Sequence, residues 1–162
     1  MSDGAGSVGV FTTDLALVIQ SWDAWLAEAT GVSESDARGR SLTELFPDLE
    51  ARGLASRLSR VGKSGSVDVL APAFHEYLIP CPPRARSPVF TRMQQHVVIT
   101  PLRDGDRVGG IVVTIEDVTV PRTRERELAA QLHGVSDSGL QSAPVTGSRP
   151  RSSASAVSSE PE

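Results

Sequence analysis

The 162-residue chain is poor in several things at once, and each shortage removes a class of function. It has one cysteine, Cys81, so no internal disulfide can hold the fold and no oxidising compartment is called for. Aromatic residues make up 4% of the chain against 39% for all hydrophobics, so a core must be built mainly from Val, Leu, Ile and Ala. Positive charge is not in excess: 16 Lys and Arg stand against 20 Asp and Glu, a formal net charge of −4. A nucleic-acid surface needs clustered cations to release counterions, and the one local cluster, Arg122, Arg124 and Arg126, alternates with Glu125 and Glu127 as on a solvated helix face. No nucleic-acid partner is expected. No run approaches the roughly 18 apolar residues that span a bilayer, and Met1–Gly9 has neither a basic start nor an apolar stretch. Direct membrane insertion is therefore not expected, and a cytoplasmic location is.

What is present is one domain's worth of patterned chain between polar ends. Residues 1–7 and 134–162 are dominated by Ser, Gly, Ala, Pro and charged residues, and both segments are expected to be disordered, since they bury too little to offset ordering entropy. The globular part spans 8–119, and a polar helix is expected over 120–133. Val10–Thr13 and Ala16–Gln20 read as two strands paired across Asp14 and Leu15. Trp22, Trp25, Leu26 and Ala29 then recur at i, i+3, i+4 and i+7, which places them on one helix face. Ser21 or Asp23 is available to cap that helix, and Gly31 to end it.

Ser33 and Asp36 start one helical turn that ends near Gly39. Ser41 with Glu44 matches a capping box before Leu42, Leu45 and Phe46, and Pro47 stops that helix. Leu54, Leu58 and Val61 mark a longer helix that ends at Gly62 or Gly65. Strand patterns follow at Ser66–Leu70, Gln94–Leu102 and Arg107–Glu116, the last two joined by the Asp104–Gly105 turn. In the last strand Glu116 marks the wet face, which turns Ile111, Val113 and Ile115 inward. Between strands three and four lies a Pro-rich connection, Ala71–Thr91, without a period. Two strands, several short helices and a three-stranded meander make an α+β fold with one five-stranded antiparallel sheet and helices on one face. The order of strands in that sheet does not follow from the pattern.

At this level of detail the chain resembles the PAS family over Val8–Leu132. Phe11-Thr12-Thr13-Asp14 resembles the first strand and its closing Asp. Val18 to Thr30-Gly31 resembles the strand that runs into a helix ending in Gly, with Asp23 where the family usually has Asn. Ala37-Arg38-Gly39-Arg40-Ser41-Leu42 resembles the next connector, and Pro101-Leu102-Arg103-Asp104 with Gly109-Gly110-Ile111 the last hairpin. Glu116-Asp117-Val118-Thr119 resembles the Asp-Ile-Thr ending that precedes a signalling helix. The resemblance implies a sensory role in bacterial signal transduction, often with dimerisation through terminal helices.

The resemblance does not choose a ligand. Photoactive flavin binding of the cysteine-adduct kind needs a reactive Cys on a helix, and Cys81 sits among Pro80, Pro82 and Pro83. A haem needs an axial His, and His75 and His96 are the two within the domain. The residues indicate neither haem nor flavin, and the cofactor stays open. Candidate pocket residues are Trp25, Leu42, Leu45, Phe46, Leu58, His96, Ile111 and Val113, and each also reads as ordinary core or surface. Candidate relay residues are Asp117, Val118, Thr119, Leu128 and Leu132, the last two at coiled-coil spacing with Val135. Neither a nucleophile–base pair, metal-ligand spacing nor a phosphate loop is apparent, so an enzyme is not expected. Partners are expected to be a second copy or a signalling protein, with a small molecule as a further option. A ligand-free interaction module of a larger receptor, or a small cavity-containing enzyme, is the alternative.

Overall fold

The computed structural model describes the backbone of residues 8–140 and the side chains of residues 8–134. The expectations for the N-terminal segment, for the tail beyond 140 and for the Val135 side chain fall outside that range. Described by contacts, the chain divides after Leu128 into two compact units. The first holds the sheet and the second, in its described part, continues one helix.

Strand β1 (Val8–Asp14) leads through a turn to β2 (Ile19–Trp22). Helices α1 (Ala24–Thr30), α2 (Glu34–Ala37), α3 (Leu42–Leu45), α4 (Asp48–Ala51) and α5 (Leu54–Ser64) follow. Then come β3 (Asp68–Leu70), α6 (Pro72–His75), β4 (Gln95–Asp104), β5 (Arg107–Asp117) and α7 (Thr119–Leu140). The five strands form one sheet in the order β2-β1-β5-β4-β3, with every pairing antiparallel.

The core lies where α1 packs on β1 and α5 on β4 and β5. Phe11, Val97, Ile99, Ile111, Val113 and Ile115 supply the sheet side of it, all at 1% exposure or less. Leu26, Leu42, Leu49, Leu54 and Leu58 supply the helical side. Burial at this scale is worth about 1.5–3 kcal/mol per large aliphatic side chain.

Five local expectations need correction. The second strand starts later than Ala16, because the Asp14 carboxylate accepts Ala16 N–H and Val18 N–H, both at 2.9 Å, and bends 15–18 into a turn. Trp22 accordingly ends β2 opposite Phe11 and is not on α1. The helix begins after Asp23, whose Oδ1 accepts Leu26 N–H at 2.9 Å while Oδ2 accepts Val10 N–H at 2.7 Å. One carboxylate thus caps α1 and fastens it to β1.

The Ser41–Glu44 capping box does not form: Ser41 Oγ pairs with Thr43 Oγ1 at 3.0 Å instead. The Ser41 hydroxyl is turned to the Thr43 side chain and makes no bond to the first-turn amides. Strand β3 is limited to Asp68–Leu70, and Val67 and Val69 point to solvent on this edge. Finally, α7 begins at Thr119 and continues through Gly134 to Leu140, beyond the expected 120–133. A glycine inside a helix costs about 1 kcal/mol against alanine, which weakens a helix without ending it.

Candidate functional site

The proposed pocket residues separate into two groups. Trp25, Leu42, Phe46, Leu58, Ile111 and Val113 come together in the core, each at 8% exposure or less, with Leu45 half-buried against them. They are packed as core. None of these six lines any of five surface clefts among the described residues. Trp25 lies flat against β1, where a Cβ on Gly9 would overlap its ring. His96 does not join them. It alternates with buried Gln95 and Val97, so it faces the other side of the sheet, 3.9 Å from Glu116 in a solvent-exposed pair. Such pairs contribute about 0–1 kcal/mol.

Of the relay candidates, Asp117, Val118 and Thr119 lie together at the start of α7. Asp117 ends β5, and its Oδ1 accepts both Thr119 N–H at 3.0 Å and Thr119 Oγ–H at 2.6 Å. An acceptor before the first turn satisfies amides that the helix itself leaves unpaired. Thr119 Oγ1 in turn accepts Gln94 N–H at 2.9 Å, and Val118 N–H donates to Gln94 O at 2.8 Å. The start of α7 is therefore bonded to the end of β5 and to the residue just before β4. Thr119 is 1% exposed, and all of its polar atoms are used. Leu128 and Leu132 are exposed further along α7.

The connection from Ala71 to Thr91 supplies the third side of this junction. It opens with α6 and then sends Tyr77, Leu78, Ile79 and Cys81 into buried positions. Gln95 holds that stretch: its Oε1 accepts Leu78 N–H at 2.9 Å and Ile79 N–H at 3.2 Å, and its Nε2 donates to Ile79 O at 2.7 Å. Gln95 N–H also donates to Glu76 O at 2.8 Å. Farther along, Ser87 Oγ pairs with Thr123 Oγ1 at 2.7 Å, and Thr123 also donates to Thr119 O. On the helical side Arg52 Nη2 donates to His75 O and Tyr77 O. Arg57 bonds both oxygens of Asp68 and reaches His75 Nε2 at 2.6 Å. A guanidinium has no acceptor, so His75 Nε2 must accept and its proton sits on Nδ1.

Gln94, Gln95, Ser87, Thr123 and Arg52 escape a reading based on hydrophobic period. The sequence signal for them is a pair of amides, Gln94-Gln95, shortly before the apolar run Val97-Val98-Ile99.

Neither haem nor the adduct-forming flavin fits these residues. Cys81 is buried, and burial pushes its thiol up to about 11, so little nucleophilic thiolate forms near neutral pH. His96 is on the far side of the sheet from the core, and the Nε2 lone pair of His75 is taken by Arg57. No group of three or more His, Cys, Asp or Glu suited to a metal ion occurs among the described residues. No helix among them is long and apolar enough to cross a membrane.

No family model matches the chain, and no curated protein matches it. Solved structures do. A sensory box sensor histidine kinase from Vibrio cholerae is similar over 74% of this chain and 87% of its own, with TM-score 0.57 and 18% identity. The PAS domain of Bordetella pertussis BvgS covers 84% of this chain and 91% of its own, with TM-score 0.54 and 17% identity. The PAS domain of histidine kinase ThkA covers 68% and 98%, with TM-score 0.51 and 20% identity. Sheet, helical layer and C-terminal helix together give this chain the PAS fold.

Proposed function

We infer that the chain is a sensory and signal-transduction module without catalytic activity, whose output leaves through α7. The observation that carries this reading is the junction at Asp117, Val118 and Thr119. There the first turn of the output helix shares hydrogen bonds with β5, with Gln94 just before β4, and through Ser87–Thr123 with the long connection. Any change in the connection or the hairpin alters the cap of α7. The fold is shared with PAS domains of histidine kinases, which supports a signalling role. The exposed leucines Leu128 and Leu132 fit a docking handle for a second copy or a partner signalling protein. A cytoplasmic location, with neither nucleic-acid binding nor membrane insertion, is in keeping with the acidic balance and the single cysteine.

The closely packed core favours relay through protein contacts over a ligand held between sheet and helices. A ligand-free interaction module is thus the second reading. Sedimentation of the chain truncated before Pro121 tests the handle. A folded monomer is expected where the full chain dimerises, and unchanged dimerisation would count against it. Native mass spectrometry of the full chain separates the two readings, because a co-purified mass favours a ligand sensor and a bare protein favours the interaction module.

A further inference from the structure

We propose that the cleft between Glu76 and Gln94 is a binding site for a small zwitterion of the α-amino-acid class. The proposal rests on the sensory reading above and names the ligand chemistry for its junction. The cleft has a volume of about 260 Å³ and is lined by Glu76, Val89, Phe90, Thr91, Arg92 and Gln94.

One buried group in its wall lacks a partner, and two exposed side chains of opposite charge flank it. Gln94 is 2% exposed, and its Oε1 is buried with no hydrogen-bond partner. Buried acceptors are almost always satisfied, so an unpartnered one sealed in the wall of a cleft points to a donor from outside the chain, met by a small turn of the Gln94 side chain. Arg92 donates to the Tyr77 hydroxyl and lies 5.2 Å from the Tyr77 ring centroid, but it meets no carboxylate among the described residues. The Glu76 carboxylate likewise has no cation within ion-pair distance among them, Arg92 included. One cleft therefore offers an unpaired anion, an unpaired cation and an unsatisfied acceptor. A ligand ammonium suits Glu76 and Gln94 Oε1, a ligand carboxylate suits Arg92, and a short apolar group suits Val89 and Phe90. The volume lies below the usual range for ligand sites, which limits the ligand to a few heavy atoms beyond its charged ends.

The backbone beneath the site is held in place for such a role. Glu76 has φ +61°, a conformation that costs a non-glycine residue energy. Tyr77 N–H donates to His75 O at 2.7 Å across it, closing a tight three-residue turn. Arg52 clamps both flanking carbonyls, and Gln95 N–H holds the carbonyl of Glu76 itself. The same Gln94 that offers Oε1 to the ligand bonds Thr119 and Val118 through its main chain. Occupancy is then felt directly at the start of α7.

The test is thermal unfolding of the full chain with glycine, L-alanine, L-serine and L-glutamine as probes, and with acetate and methylammonium as single-charge controls. Binding to the native state raises Tm by about 4 °C or more at saturation with one or more amino acids and not with the controls. Glu76→Gln and Arg92→Gln, checked for native circular dichroism, each abolish that rise. No rise with any amino acid overturns the proposal, as does a rise that survives in both variants or one matched by acetate or methylammonium. A structure of crystals soaked in L-alanine that shows only a water on Gln94 Oε1 also overturns it. Hydrogen exchange keeps the two readings apart. An amino-acid rise in Tm with unchanged exchange in α7 upholds the site while opposing the relay. No rise, together with α7 exchange that still responds to Thr119→Val alone, removes the site and leaves the relay.

Discussion

Gln94 and Thr119 are joined side by side. The Gln94 N–H donates to Thr119 Oγ1 at 2.9 Å, and the Gln94 carbonyl accepts the N–H of Val118, the residue before Thr119, at 2.8 Å. The first turn of α7 is fixed by this arrangement to the chain entering β4 as well as to the end of β5. One hydroxyl thus accepts from the residue just before β4 and donates to the last residue of β5.

Replacing Thr119 by Val keeps the shape and removes the hydroxyl. The buried Gln94 N–H then loses its acceptor, and Asp117 loses one donor. The loss should be about 1–3 kcal/mol, the range for an orphaned buried group, and Thr119→Ser should recover most of it. Urea unfolding of the three proteins checks both statements.

Gln95→Leu should be at least as damaging, by about 2 kcal/mol or more, because it strands two buried amides, Leu78 N–H and Ile79 N–H, and the Ile79 carbonyl. Its effect should concentrate on the connection. Limited proteolysis should cut near residues 76–92 before the sheet opens.

Stability should fall as the solution is acidified below about pH 6.5. His75 is held below its ordinary value of 6.5 by burial first and then by the charges of Arg57 and Arg52, with Asp68 opposing. A histidine kept neutral in the fold binds its proton more readily when unfolded, so its contribution is full above 6.5 and is lost as pH drops toward its folded value. Asp68 is also depressed, chiefly by its hydrogen bond to Arg57. Its contribution persists to lower pH and fades only below its ordinary value of 3.8. Urea midpoints between pH 5 and pH 8 should show the His75 slope, and His75→Gln should flatten it.

Gly110→Ala should cost roughly 3 kcal/mol, the upper part of the range for overpacking. The added Cβ would overlap the carbonyl oxygen of Thr13 on β1, which is backbone and cannot rotate away. Gly109→Ala, with nothing within 4 Å of its Cβ position, is the control and should be tolerated far better. Thermal unfolding of the pair decides the matter.

Most of the sheet was legible because its strands alternate cleanly. Ile111, Val113 and Ile115 turn inward as the wet position of Glu116 requires, and Gly65 with φ +68° ends α5 where a glycine was available. Trp22 was misplaced because a buried residue at the end of a strand and one at the start of a helix look alike when three apolar residues follow at helical spacing. The carboxylate of Asp23 settles that choice by taking amides from both elements. The connection after β3 was illegible for a different reason. Its order comes from Gln95, Arg52 and Ser87, which hold main-chain groups far away in sequence, and no period records such bonds. The sequence pattern marks Asp117-Val118-Thr119 as the end of the last strand, but nothing in it points to Gln94, which bonds Thr119 and Val118.

Hydrogen exchange of the α7 amides at residues 122–128 is the measurement that bears hardest on the relay. It is read in the native protein, in Ser87→Ala and in Thr119→Val, with the amides of α1 as an internal reference. If the connection and the hairpin control the output helix, exchange in α7 rises in both variants while α1 is unchanged. Equal acceleration of α1 and α7, or none in either, would show that the junction merely contributes to global stability and would contradict the relay.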